Sequence, residues 1–392
     1  MTNITQRITD LAIQIQQIPA PTFHESKRAE FVRDLFTQEG LSDVSIDEVG
    51  NVYGLLPSGK PLNTNSQPLI ISAHTDTVFP LDMDLKIRRE GDRVYGIGIG
   101  DNSLGVAGLI GLLWMLRERA FSLPSQPSPQ PSPRGRGSQV DGDIWFVANV
   151  CEEGLGDLRG MKAVVDRFSG PSTGSGVLAY LVLEGMALGH VYHRAVGVKR
   201  YRVKVTTKGG HSWSDYGQPS AIHELSKLIV QLTSLELPKE PRTTMNVGKI
   251  SGGTSINVIA PEAWLELDLR SEGQESLAKL VTDAEKLIRE ASKPGLLIEA
   301  EVIGQRPAGE LSPDHPLIQL AIDCIREQDL EAILTTGSTD ANIPLSKGYP
   351  ALVLGISTGG GAHTKDEYIN TAPVEKGMEQ LVRFVELVFS NE

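Results

Sequence analysis

The sequence predicts a three-layer α/β/α domain with a mixed, mostly parallel sheet, into which a smaller ferredoxin-like α+β domain is inserted. Short, continuous apolar runs alternate with segments of helical periodicity at both ends of the chain, whereas residues 196–306 have the order βαββαβ. The chain has 392 residues, which is more than one compact core of ordinary size contains. Two domains are therefore expected.

The two outer segments, residues 1–195 and 307–392, supply the elements of the larger domain. Four continuous apolar runs fit parallel strands that helices cover on both faces: 68–72, 143–150, 176–183 and 351–356. Five helical segments provide this cover: 3–17, 26–38, 104–118, 313–328 and 374–390.

The middle segment, residues 196–306, has strands with one solvated face. Apolar and polar residues alternate in VGVKRYRVKVTTK, and similar strands occur in TTMNVGKISGG, EAWLELDLRS and LLIEAEVIG. Helices are expected at 220–237 and 276–292. Because the α/β pattern resumes after residue 306, this unit is inserted into the first domain, as suits a lid over a cleft.

A tract of low complexity occupies residues 122–139, with the sequence SLPSQPSPQPSPRGRGSQ. It has almost no large apolar side chains, so it cannot bury enough surface to offset its ordering entropy. We expect a disordered surface loop.

Charge and cysteine content narrow the class of protein. The net charge of −12 argues against a nucleic-acid partner, which needs a basic face. The only two cysteines, Cys151 and Cys324, lie far apart in sequence, which favours a reducing compartment. The amino terminus lacks the layout of a signal peptide, and the apolar stretch 106–116 is too short to span a bilayer. The sequence therefore predicts a cytoplasmic protein with no membrane partner.

Histidine and carboxylate residues follow the predicted core strands. The four runs lead into His74, the pair Glu152-Glu153, Glu184 and His363, and Asp101 lies in a glycine-rich turn before the next helix. In an open α/β sheet, ligands bind outside the carboxyl ends of the strands. These side chains are therefore expected to meet at one edge of the sheet.

Two histidines and three carboxylates suit a pair of divalent metal ions. Each ion would take one histidine, one terminal carboxylate and one oxygen of a shared aspartate, and a water between the ions would act as the nucleophile. Glu153 can bind metal while Glu152 stays free as a general base. Asp76, two residues after His74, can accept the second ring N–H of that histidine.

The ordered motifs of the chain resemble the M20 metallopeptidase family along nearly the whole sequence. They are SAHTDTV, GIGDNSLGVAGL, CEEGLGDLRG, LEG, KGGHS and GGGAHTKDE. The family includes aminoacylases, dipeptidases, carboxypeptidases, peptidase T-like enzymes and ArgE/DapE deacylases. The resemblance implies that Asp101 bridges the metals, with His74 and Glu184 completing one site and Glu153 and His363 the other. It also implies that Glu152 is the catalytic base and that the Asp101–Asn102 peptide is cis.

The inserted domain also carries residues that match the family. By this resemblance, His211 stabilises the oxyanion of the reaction intermediate, usually from the partner subunit of a dimer. Asn257 and Arg270 match residues that hold a substrate carboxylate, for which an arginine offers a bidentate fork. The resemblance therefore implies a homodimer formed through the lid.

Together these features predict a metal-dependent hydrolase that cleaves an amide or peptide bond in small peptides or N-acyl amino acids, as an aminopeptidase or deacylase does. The ligand set suits two zinc ions, with cobalt or manganese as alternatives. A non-catalytic, metal-stabilised binding protein on the same scaffold is the competing hypothesis, although it would have no use for Glu152.

Overall fold

The computed structural model describes residues 3–58, 67–122, 142–169 and 176–389. The chain divides into two compact units, one of residues 1–194 and 310–392 and one of residues 195–309. The sequence placed the inserted domain at 196–306, so the two pairs of boundaries nearly coincide. The predicted loop at 122–139 lies outside the described residues except for Ser122, which ends a helix.

The described chain contains helices and strands in the following order. The helices are α1 (Ile4–Gln16), α2 (Ser26–Gln38), α3 (Leu104–Ser122), α4 (Arg159–Phe168), α5 (Ala221–Thr233), α6 (Gln274–Glu290), α7 (Pro316–Arg326), α8 (Asn342–Ser346) and α9 (Val374–Val388). The strands up to the inserted unit are β1 (Ser42–Ile46), β2 (Val52–Leu56), β3 (Leu69–His74), β4 (Arg88–Glu90), β5 (Arg93–Tyr95), β6 (Ile144–Asn149), β7 (Ala179–Glu184) and β8 (His190–Ala195). The remaining strands are β9 (Gly197–Thr207), β10 (Gly210–His211), β11 (Thr243–Gly252), β12 (Val258–Ile259), β13 (Glu262–Ser271), β14 (Leu296–Arg306), β15 (Gly309–Glu310), β16 (Ile333–Gly337), β17 (Ala351–Gly355), β18 (Gly359–Gly360) and β19 (Tyr368–Asn370).

The first unit is built around a mixed sheet with the order β1-β2-β6-β3-β7-β17-β8-β15, and β16 also pairs with β8. The four central strands β6, β3, β7 and β17 run parallel. The pairs β1–β2, β2–β6 and β17–β8 are antiparallel. The predicted sheet is therefore confirmed, with its parallel part at the centre.

The central strands are buried on both faces because helices pack on each side of them. All six residues of β3 and all five of β17 are buried. Leu69, Ile71 and Ala73 contribute to a large apolar core that includes α1, α3, α7 and α9, while Ile70 points to the opposite face. Burial of each leucine or isoleucine side chain of this strand contributes roughly 1.5–3 kcal/mol.

Helix α3 is the most apolar helix of this core. Together with the turn before it, the segment Ile99–Arg119 is long and apolar enough to cross a membrane, so the apolar stretch extends beyond residues 106–116. In the structure, 89% of the 18-residue apolar stretch within this segment is buried inside the protein. A helix that is apolar all round is typical of a buried core position.

The second unit has the predicted βαββαβ order, formed by β9, α5, β11, β13, α6 and β14. Its strands pair antiparallel in the order β11-β13-β9-β14. Buried and more exposed residues alternate along β13, and its buried positions, including Leu265 and Leu267, pack in a separate apolar core with α5 and α6. This arrangement is the expected ferredoxin-like α+β fold.

A small antiparallel sheet in the first unit, with the order β18-β19-β5-β4, was not predicted from the sequence. Its strands have only two or three residues, so they leave no periodic pattern. Tyr368 on β19 pairs with Tyr95 on β5. This sheet brings the segment around residue 363 beside the glycine-rich turn that contains Asp101.

Candidate metal centre

The carboxyl ends of the parallel strands bring most of the predicted ligands to one edge of the sheet. Strand β3 ends at His74, β7 ends at Glu184, and Glu152-Glu153 follow β6 after two residues. His363 differs from the prediction, because β17 ends at Gly355 and the chain forms β18 before His363. His363 lies in a turn with a φ of 63°, and not directly at the end of a core strand.

Asp101 lies in a tight turn, Ile99–Ser103, between the small sheet and α3. Gly98 begins this turn with a φ of 69°, a conformation that favours glycine. At Gly100, an added Cβ would lie 2.4 Å from Sδ of Met186. The backbone angle at Gly98 and the close approach of Met186 at Gly100 explain why glycine occupies these two positions of the turn. The Asp101–Asn102 peptide is cis, as the family resemblance implies.

The five predicted ligands form two groups that share Asp101. One group contains His74, Asp101 and Glu184, the other contains Asp101, Glu153 and His363, and the potential ligand atoms within each group lie within 4.8 Å of one another. Asp101 Oδ1 is 3.1 Å from His74 Nε2, and Asp101 Oδ2 is 3.0 Å from His363 Nε2. His363 Nε2 is also 3.1 Å from Glu153 Oε1.

The groups differ in their exposure to solvent. The side chain of His74 is 1% exposed, whereas that of His363 is 53% exposed. Asp101 and Glu184 are intermediate, with side chains 20% and 18% exposed. The centre therefore opens to solvent on the side of His363.

The negative charge of the cluster favours bound cations. Burial raises the pKa of Glu184 well above its ordinary value, and the nearby charges of Asp101, Glu152 and Asp340 raise it further against the effect of His74. Carboxylates gathered in a buried place are costly unless positive charge compensates them. The donor set of histidines and carboxylates also fits divalent ions such as zinc. The residues present therefore fit two metal ions.

Without metal, protons provide part of this compensation. Hydrogen bonds to Asp101 and Glu153 raise the pKa of His363 to about 10. Burial lowers the pKa of His74, but hydrogen bonds to Asp101 and Asp76 outweigh it and raise the value well above 6.5. Burial likewise raises the pKa of Asp101, yet hydrogen bonds from His363 and His74 bring it below its ordinary value.

These pKa values predict that metal binding is linked to proton release. The raised pKa values favour a proton on each histidine in the metal-free protein, whereas a metal ligand must be a neutral imidazole. Loading should therefore release about two protons from the histidines, and any proton that Glu184 holds because of its raised pKa adds to this number. The affinity should rise with pH until the histidines lose their protons. Calorimetric titration with Zn²⁺ in buffers of different ionisation enthalpy measures the number of protons that are released. His363→Gln should release about one proton fewer, and a wild-type chain that binds Zn²⁺ without releasing protons contradicts the prediction.

Asp76 organises the centre more broadly than the sequence indicated. Its Oδ1 is 3.5 Å from Nδ1 of His74, which also faces the main-chain oxygen of Asp76 at 3.2 Å. In addition, its carboxylate accepts the main-chain N–H groups of Glu152 and Glu153, each at 2.9 Å, and the hydroxyl of Thr22 at 2.9 Å. Asp76 therefore fixes the backbone of the glutamate pair as well as facing His74.

Two buried residues that the site prediction did not include support the ligands. Asn102 donates from Nδ2 to the carbonyl of Leu183 at 2.8 Å and accepts the N–H of Gly185 at 3.0 Å, so it holds the backbone on both sides of Glu184. Asp340 accepts a hydrogen bond of 2.7 Å from Asn149, which is aligned with His74 in the sheet. For Asn102, the one signal in the sequence was its position directly after Asp101, the candidate ligand that both groups share.

In the second unit, His211 and Asn257 lie side by side. His211 on β10 pairs with Val258 on β12, and the N–H of Ser212 donates to the carbonyl of Asn257 at 3.0 Å. His211 Nδ1 accepts the main-chain N–H groups of Trp213 at 3.2 Å and Ser214 at 3.4 Å. A neutral His211 therefore carries its proton on Nε2.

Arg270 is not brought to His211 and Asn257 within the same unit. It lies near the carboxyl end of β13, about 26 Å along an extended strand from Glu262 at the start, and the segment that contains Asn257 leads into that start. Its Nε donates to Asp268 Oδ2 at 2.6 Å, and Asp268 also accepts from Arg200 at 2.8 Å. In the described chain Arg270 thus forms an ion pair with Asp268.

Two family models and a curated relative match this chain. The peptidase dimerisation domain of M20 enzymes matches residues 194–296, and peptidase family M28 matches residues 51–216. Acetylornithine deacetylase from Aliivibrio fischeri is 32% identical, and the match covers 88% of this chain and 85% of that enzyme.

Two solved structures share the fold over nearly the whole chain. A tripeptidase from Staphylococcus aureus superimposes with a TM-score of 0.77 at 22% identity, covering 98% of this chain and 99% of its own. A dinuclear metal-binding peptidase of the M20 family from Bacillus subtilis superimposes with a TM-score of 0.68 at 15% identity, covering 99% of both chains. The chain belongs to the M20 family of metallopeptidases and deacylases, and it is a hydrolase.

Proposed function

We propose that this hydrolase cleaves an amide bond in small peptides or N-acyl amino acids with the help of two divalent metal ions. His74, Asp101 and Glu184 would hold one ion, and Asp101, Glu153 and His363 the other. The observation that carries the proposal is the pair of ligand groups that share Asp101, with Glu152 beside them on a backbone fixed by Asp76.

When bound, the two ions would activate a water molecule and polarise the carbonyl of the scissile bond. The chain itself must then move the protons. Glu152 is 6% exposed, and its charge acts on Glu184, so its carboxylate lies close to the ligand cluster. It would take a proton from the attacking water and deliver it to the leaving amine.

His211, Asn257 and Arg270 are proposed to bind the substrate. With Nδ1 occupied by main-chain N–H groups, the ring of His211 has Nε2–H available to donate to the carbonyl oxygen as it gains charge. Asn257 and Arg270 would hold the substrate carboxylate, which requires Arg270 to exchange Asp268 for the substrate. The match to a peptidase dimerisation domain supports a homodimer.

The identity of the metals and the location of the protein are also proposals. Histidine and carboxylate ligands favour zinc, and cobalt or manganese suit the same donors. Cys151 and Cys324 are free and buried, which agrees with the reducing environment of the cytoplasm.

A substrate screen tests the proposed reaction. The purified chain is loaded with Zn²⁺, Co²⁺ or Mn²⁺ and incubated with dipeptides, tripeptides and N-acetyl amino acids, and the released amine is measured. We expect release that a chelator abolishes and added metal restores. A chain that binds two ions but releases no amine from any of these compounds would favour the non-catalytic binding protein.

A further inference from the structure

We infer that Glu367 is a positioning residue that holds the shared ligand Asp101 in place through its main chain. Glu367 lies directly before β19 and is fully buried. It belongs neither to the two ligand groups nor to the residues proposed to bind substrate. The inference rests on the proposed dinuclear metal centre and adds a residue to it.

The carboxylate of Glu367 binds three N–H groups of the Asp101 turn. Its Oε2 accepts from Gly98 at 2.8 Å, and its Oε1 accepts from Gly100 at 2.8 Å and from Asp101 at 2.9 Å. The main-chain carbonyl of Glu367 also accepts the N–H of Gly96 at 2.9 Å. One residue thus takes up most of the main-chain donors between Gly96 and Asp101.

Only a carboxylate suits this position among side chains of the same shape. An ionised carboxylate accepts hydrogen bonds at both oxygens and donates none, whereas a glutamine would direct an NH₂ group at one of these N–H groups. A buried N–H left without an acceptor is costly, so the turn would move to find another partner.

The same short segment also carries His363. The hydroxyl of Thr364 donates to the carbonyl of Gly361 at 2.7 Å and accepts the N–H of Asp366 at 3.2 Å, which makes a compact turn between His363 and Glu367. His363 Nε2 faces the side-chain oxygen Oδ2 of Asp101, while Glu367 accepts the main-chain N–H of the same residue. Because both ligand groups use Asp101, a shift of its turn should weaken both metal sites.

Cobalt titration of three variants tests this inference. Co²⁺ binding, followed by visible absorption, is compared for wild type, Glu367→Gln, Asp366→Asn and His363→Gln. Glu367→Gln should still bind two ions, but each about 10- to 100-fold more weakly, with an altered cobalt spectrum. Asp366→Asn makes the same carboxylate-to-amide change in an exposed neighbouring side chain that makes no hydrogen bond within the described ranges, and it should bind as wild type does. His363→Gln should lose mainly one ion.

The outcomes separate this inference from the proposed function. A merely structural role would lower the unfolding temperature of metal-free Glu367→Gln and leave both affinities unchanged, which overturns the inference. If Glu367→Gln does not fold, Glu367→Asp gives the same comparison, because it keeps the charge but shortens the reach by one methylene. A wild-type chain that binds no Co²⁺ overturns the proposed metal centre and this inference together.

Discussion

Glu152→Gln should retain both metal ions and lose hydrolysis by about 100- to 10,000-fold, the usual contribution of a general acid–base group. The amide has nearly the same shape as the carboxylate but cannot take a proton from water. Because Asp76 binds the main-chain N–H of Glu152, and not its side chain, the backbone should remain where it is. The measurements are the metal content after dialysis and kcat on a substrate found in the screen.

Two further glutamine variants make this result specific. Glu153→Gln removes a ligand beside His363 and should lose metal as well as activity. Glu30→Gln changes an exposed carboxylate on α2 and should change neither property. Glu152→Gln with full activity would eliminate Glu152 as the base, and Glu152→Gln without metal would assign it a structural role.

Asp101→Asn should release both metal ions, not one. The two oxygens of Asp101 face different histidines, and an asparagine keeps only one oxygen and presents an NH₂ group in place of the other. The affinity for both ions should fall by more than the roughly 100-fold that loss of an outer-shell partner costs. Hydrolysis should fall to the level of the chelator-treated protein.

Glu184→Gln is the control variant for this prediction. Glu184 belongs to only one of the two groups, so its replacement should weaken mainly one ion. Metal content per chain, measured after dialysis against a graded series of free Zn²⁺ concentrations, distinguishes the two patterns. Two ions retained by Asp101→Asn at wild-type affinity would show that the groups do not share this ligand.

The sequence predicted the parts of the fold that have a repeating pattern. The continuous apolar runs became β3, β6, β7 and β17, and the alternating segments became the antiparallel sheet of the second unit. A strand that is buried on both faces leaves a continuous apolar run, and a strand that is buried on one face leaves an alternation of apolar and polar residues. Both patterns can be recognised in a single sequence. The small sheet of β4, β5, β18 and β19 has strands too short for any period and was missed.

The candidate ligands could be brought together from the sequence because the resemblance fixed their order and their chemistry is carried by side chains. Asn102 and Glu367 could not be found in this way, since both act on main-chain N–H or C=O groups of segments distant in sequence. Nothing in the sequence around Gly98 indicates which acceptor it will meet. The wider role of Asp76 was underestimated for the same reason, because its partners at Glu152 and Glu153 are backbone amides.

Four of the five candidate ligands precede the inserted unit in the chain, and His363 follows it, together with Glu367. During synthesis, a ribosome therefore delivers the first four well before the fifth. The complete donor set can assemble only after the final strands have emerged and folded back onto the earlier ones. On the proposed function, capture of the metal pair would be a late event in the maturation of this hydrolase, and a chain that stops before residue 363 could not complete it.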